Sequence, residues 1–133
     1  MNITPLTNQE LFDRVATHLL TQGERARGVD SCLYRTHYGL SCAVGGVIPD
    51  DLYHPGIERT PAKVLASGNY SDKMAHRNIP QETKDGLATL LGKANPDLID
   101  CLQAAHDTSD PENWWTELEK IANRFNLDPS VLE

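Results

Sequence analysis

Three helices predicted in this 133-residue chain begin with a capping residue directly before a proline: Thr60-Pro61, Asn95-Pro96 and Asp110-Pro111. Proline lacks the amide hydrogen that a first helical turn leaves unbonded, and its φ is already set for the helix. The Thr, Asn or Asp before it has an oxygen that accepts from the turn's free amides. Each pair therefore predicts a helix start. The first helix runs from Pro61 to near Gly68. The second runs from Pro96 to near Asp107, striped by Leu98, Ile99, Leu102 and Ala105. The third opens at Pro111 and carries Trp114, Leu118, Ile121 and Phe125 at i, i+4, i+7 and i+11, one face of a helix. Between the first two, Gln81–Lys93 carries Leu87, Leu90 and Leu91, and Asp128-Pro129 opens a last turn. At the other end, Thr7 and Glu10 form a capping box. Leu11, Val15 and Leu19 follow at helical spacing with Gly23 as the stop, which predicts a helix over about residues 8–22.

The middle of the chain reads differently. Cys32-Leu33-Tyr34-Arg35 and Gly39-Leu40-Ser41-Cys42 are two short runs around Thr36-His37-Tyr38, and Gly39 suits the left-handed position that closes a short loop. They predict a β-hairpin over about residues 32–42. Pairing Arg35 with Gly39 sets Cys32 opposite Cys42, and a slip of register separates them. Ala43-Val44-Gly45-Gly46-Val47-Ile48 fits either a short buried helix or a third strand, and Pro49–Gly56 is turn and loop. The expectation is a single α+β domain over residues 1–133, predominantly helical, with about five helices packed around one short hairpin.

Charge and composition narrow the function. Residues 1–95 carry ten acidic and ten basic side chains, whereas residues 96–133 carry nine acidic ones against Lys120 and Arg124, so the whole net charge of −7 lies in the C-terminal part. Phosphate backbones are held by Lys and Arg, so this balance argues against direct nucleic-acid binding. Lys73, His76 and Arg77 form a cluster too small for a nucleic-acid footprint, though able to grip one phosphate of a small ligand. The acidic C-terminal face either meets a basic partner or serves as a solvated surface. No apolar run approaches the roughly 18–20 residues that cross a bilayer. The N-terminus has no basic start followed by an apolar stretch, and three cysteines are too few for a secreted scaffold. The expected compartment is the cytoplasm.

One segment has a recognisable rhythm: Cys32-Leu33-Tyr34-Arg35, then Gly39-Leu40-Ser41-Cys42-Ala43-Val44-Gly45, then Ile48-Pro49-Asp50-Asp51-Leu52-Tyr53. Leu102-Gln103, His106-Asp107, Trp114 or Trp115 and Ile121-Ala122 follow in the later helices. The chain resembles a group of small proteins of tailed phages and bacterial prophages that share a C-x-Y-R, G-x-x-C-A-x-G, I-P-D and Tyr pattern. It departs from them in the hairpin loop, where Thr36-His37-Tyr38 replaces a Gly-Pro. The resemblance implies a phage context, and it directs attention to Tyr34, Arg35, Asp50 and Tyr53 as candidate binding residues.

The residues that could carry chemistry are few. Cys42 with His106 and Asp107 would make a thiol nucleophile, its base and an orienting acceptor. Adjacent side chains on a helix diverge by about 100°, however, so Asp107 is a poor orienter for His106 and Asp110 is the alternative. His106 equally reads as a half-buried histidine at a helix C-terminus, and Cys42 as a small core residue. Cys32, Cys42 and His106 are a weak candidate zinc set, since they lack the close ligand pair of a structural site; His37 and His54 lie nearby in sequence. Asp50, Asp51 and Glu58, and Asp97, Asp100 and Asp107 on one helix, are carboxylates that turn and cap chemistry explains as well as magnesium or acid–base work. Trp115 stands one residue off the core stripe, at a flank that partial burial explains more readily than use as an interface anchor. Gly45-Gly46 precedes no Lys-Ser/Thr, so it is no phosphate loop, and close backbone packing accounts for it.

Together these readings favour a phage or prophage accessory protein that acts by binding rather than catalysis and needs no cofactor. Its partner is a host protein, such as a component of a defence system, or a small nucleotide-like ligand. The alternative is a small thiol- or metal-dependent hydrolase or transferase using Cys42 and His106, with zinc as the metal.

Overall fold

The computed structural model describes residues 3–26, 33–36, 39–58, 60–70 and 79–133. Five α-helices are found among them: α1 Asn8–Gln22, α2 Ala62–Ser67, α3 Gln81–Leu91, α4 Pro96–Thr108 and α5 Trp114–Arg124. Each begins close to where local chemistry predicts. Thr7 accepts from Glu10 N at 3.1 Å while the Glu10 carboxylate accepts from Thr7 N at 3.0 Å, closing both ends of the capping box. Asn95 accepts from Asp97 N at 2.9 Å, with Pro96 as the first helical residue. At the other two proline starts the helix proper is delayed. Pro61 has an extended ψ of 142° and α2 begins at Ala62, while Pro111 opens a 3-10 turn, Pro111–Asn113, that runs into α5.

One core joins these elements. Helix α1 buries Leu11, Phe12, Val15, Ala16 and Leu19. It packs on α4, on α5, on the turn Gly45–Val47 and on the C-terminal turn Ser130–Leu132, while α2 lies against α3 and α4. Trp114, Leu118 and Ile121 of the α5 stripe are buried, whereas Phe125 at its end is half-buried. No helix among the described residues is long and apolar enough to cross a membrane.

The structure corrects the α+β expectation. Among the described residues there is no strand and no sheet, and the predicted hairpin over about residues 32–42 is reduced to a single antiparallel bridge between Arg35 and Ser41. The physical reason lies in where the ladder's polar groups go. Tyr34 N and Arg35 N donate to the Glu58 carboxylate at 2.8 and 3.2 Å, and Leu33 N donates to Ala26 O at 2.7 Å. On the other limb Ser41 N donates to the Gln22 amide at 2.8 Å, and Ser41 O accepts from Gln22 and from His18, each at 2.9 Å. Side chains from α1 and from residue 58 thus take the groups that a second strand would have used. The bridge also lies two residues away from the pairing that would oppose Cys32 and Cys42, and it sets Tyr34 across from Cys42, whose N donates to Tyr34 O at 3.4 Å. Cys42 is a free thiol. Cys32, His37, Tyr38 and the Lys73, His76 and Arg77 cluster lie outside the described residues.

Residues 43–48, open between helix and strand in the sequence, form the 3-10 turn Gly45–Val47. Both glycines are demanded by close approach. A Cβ on Gly45 would stand 2.1 Å from Tyr34 O, and one on Gly46 would stand 2.2 Å from the His18 ring.

Candidate functional site

Two neighbourhoods collect the polar residues of interest. The first surrounds Cys42 and His106. His106 is fully buried on α4, stacked on Trp114 with ring centroids 5.5 Å apart. Its Nε2 accepts from Ala26 N at 3.0 Å, so the ring proton sits on Nδ1, which meets Asp107 Oδ1 at 2.7 Å. Adjacent positions on the helix do not prevent this pairing, so Asp107 is the orienter that the 100° spacing argued against. The Asp107 carboxylate also accepts from Gln103 Nε2 at 3.0 Å, and Gln103 Oε1 accepts from Val44 N at 3.2 Å and from the Cys42 thiol at 3.4 Å.

The path from Cys42 to His106 therefore runs through Gln103 and Asp107. Cys42 is buried, and burial pushes its thiol up to about 12, against the pull of the Gly45 amide that donates to the sulfur at 3.3 Å. A hollow of about 200 Å³ touches Cys42, Gln103 and Asp107, and His106 does not line it. A thiol held protonated, beside a histidine with both nitrogens engaged elsewhere, lacks the activated pair that nucleophilic catalysis uses. Among the described residues no group of three His, Cys, Asp or Glu side chains is arranged to hold a metal, and Cys32, the remaining candidate zinc ligand, lies outside them.

The second neighbourhood is a cleft of about 590 Å³ between the C-terminal half of α1 and residues 35–36 and 39–50. Arg35 is its principal charged group. The guanidinium donates from Nη2 to Ile48 O at 2.7 Å, pairs through Nη1 with Asp50 Oδ1 at 2.8 Å, and lies 4.7 Å from the centre of the Tyr53 ring. The Tyr53 hydroxyl in turn donates to Glu58 Oε2 at 2.7 Å, and the same carboxylate holds the Tyr34 and Arg35 amides. Burial, the Glu58 hydrogen bond and the Glu58 charge all move the Tyr53 phenol above its ordinary range. Arg35, Asp50 and Tyr53 are thus brought together at one cleft edge. Tyr34 is not at the surface: its ring is buried, its hydroxyl bonds Thr60 O, and burial drives its phenol far up.

Trp115 stands apart on α5, 43% exposed, with its indole N–H donating to Leu132 O at 2.8 Å. Several acidic residues of the C-terminal part are engaged within the chain. Asp97 and Asp100 face Lys63, Asp110 pairs with Arg25 and Glu117 with Lys120. The sequence reading did not single out His18 or Gln22, it named Gln103 only within the pattern of the resemblance, and it weighed Glu58 only as a carboxylate. These act through contacts across the chain that no local spacing announces. No family model matches the chain, and no curated protein or solved structure matches it either.

Proposed function

We propose that this chain is a binding protein, of the kind tailed phages and prophages encode, and that it takes a small nucleotide-like ligand in the cleft beside Arg35. The observation that carries this reading is the setting of Arg35: a guanidinium fixed by a carbonyl and an aromatic ring at the edge of an open cleft, in the size range of small-molecule sites. The engagement of Cys42 and His106 inside the fold supports binding over thiol catalysis. The proposed place of action is the host cytoplasm.

The test is native mass spectrometry of freshly purified, reduced protein beside its denatured mass, followed by thermal melts with a nucleotide panel. A small organic adduct that is lost on denaturation, or a nucleotide that raises the melting temperature, is the expected result. A bare mass together with unchanged melts overturns the reading, and so does an increment of one zinc, which would return attention to Cys32, Cys42 and His106. The exposure of Trp115 favours a second reading, in which α5 docks on a host protein such as a defence component. Trp115→Ala would then abolish capture of that protein and leave ligand-dependent melts unchanged.

A further inference from the structure

We infer that Asp50 is an internal stand-in for the ligand's anionic group, and that a phosphate monoester displaces it from Arg35. This rests on the ligand-binding reading above and names the chemistry of that site. The Asp50 side chain is 98% exposed, while that of Arg35 is 26% exposed. The carboxylate therefore keeps nearly all its contact with water while it touches the guanidinium, and leaving costs it little solvation. Exposed pairs of this kind contribute little.

Arg35 does not depend on Asp50 for its position. Ile48 O holds Nη2, the Tyr53 ring lies against the guanidinium, and the Glu58 carboxylate holds the Arg35 amide and the Tyr53 hydroxyl. When Asp50 swings away, Nη1 is released and Nη2 still has a second proton to give, and a phosphate can accept from both. The wall beyond is suited to the rest of such a ligand. Leu40, Ile48 and Pro49 offer apolar surface, and the His18 ring, Thr36 and Ser41 offer polar groups beside it. A phosphate monoester carrying a small body with both polar and apolar edges, as a mononucleotide does, matches one fixed cation and a wall of mixed polarity.

The experiment titrates AMP, adenosine and inorganic phosphate into the full-length protein and its Asp50→Asn variant, with affinities by calorimetry and the site located by amide and arginine NMR resonances. Asp50 is exposed, so the variant keeps the fold. AMP is expected to bind about tenfold more tightly than adenosine, as a charge-assisted contact requires. D50N is expected to tighten AMP by about two- to fivefold, the release of an exposed competing pair, and to leave adenosine unchanged. Phosphate alone is expected to move the Arg35 Nε–H resonance, and more strongly in D50N. Equal affinities for AMP and adenosine, indifferent to D50N but with the Gly45 and Gly46 amides moving, would overturn the anion exchange and leave the cleft as a ligand site. If no probe moves the cleft resonances in either protein, the exchange and the ligand reading fall together.

Discussion

Replacing His106 by Phe separates a structural histidine from a catalytic one. Phe keeps a flat ring against Trp114, whose centroid lies 5.5 Å from that of His106, so most of the packing survives. What it removes is polar. Ala26 N loses its acceptor at 3.0 Å inside the core, and an unsatisfied buried amide costs about 1–3 kcal/mol. Asp107 loses the Nδ1 donor at 2.7 Å, but its side chain is 37% exposed, so water replaces most of that bond and the loss is discounted to roughly 0–1 kcal/mol. The sum is about 1–4 kcal/mol, a sizeable part of the about 5–15 kcal/mol that holds a domain together. At about 3–4 °C per kcal/mol this lowers Tm by roughly 3–16 °C. Urea unfolding followed by tryptophan fluorescence measures it directly, with Trp114 reporting from beside the mutated ring. His106→Gln places an oxygen near the lost Nε2 and should recover about 1 kcal/mol of the deficit. A His106→Phe protein as stable as the parent would refute the hydrogen-bond assignment, and so would a Gln variant no better than Phe.

The Glu58 clamp gives a second test. Glu58→Ala orphans the Tyr34 and Arg35 amides and the Tyr53 hydroxyl, for an expected loss of about 3 kcal/mol in urea unfolding, and a loss under about 0.5 kcal/mol would remove the clamp from the account. Cys42 gives a third. Its folded thiol is raised from 9.0 to about 12, so its contribution to stability is complete below about pH 9 and is lost as pH climbs toward 12, because only the unfolded chain ionises there. Unfolding free energy should fall by up to about 1.4 kcal/mol per pH unit above 9, Cys42→Ala should flatten that slope, and native iodoacetamide labelling at pH 8 should reach half-buried Cys101 well before Cys42. Cys42 alkylating as fast as Cys101 would contradict the burial argument.

How much of this was legible in the sequence follows from the range of each interaction. The helix starts were readable because their signals are local. Thr7 and Glu10 are three residues apart, and Asn95 caps an amide two residues on. The α5 stripe was readable because burial of Trp114, Leu118 and Ile121 is a matter of period. The hairpin misled because alternating runs and a turn glycine describe what two limbs can do with each other, and say nothing of third parties. Gln22 lies 19 residues from Ser41, and Glu58 lies 24 from Tyr34. The Asp107 contact misled for a smaller reason. Helical spacing fixes where Cβ bonds point, whereas two side chains several bonds long can still bring their ends together.

The correction to the fold and the location of the site have one cause. Glu58 takes the Tyr34 and Arg35 amides, and that is half of why no ladder forms. The same carboxylate holds the Tyr53 hydroxyl, and the Tyr53 ring is what the Arg35 guanidinium lies against. One side chain therefore denies the sheet and fixes the cation. A ladder that bonded the Tyr34 and Arg35 amides to a strand neighbour would have taken from Glu58 the two donors that anchor it here. In this chain a carboxylate put in place of a strand holds Arg35 from both its main chain and its ring partner. The Arg35 contact with exposed Asp50 is the interaction that the proposed ligand would exchange.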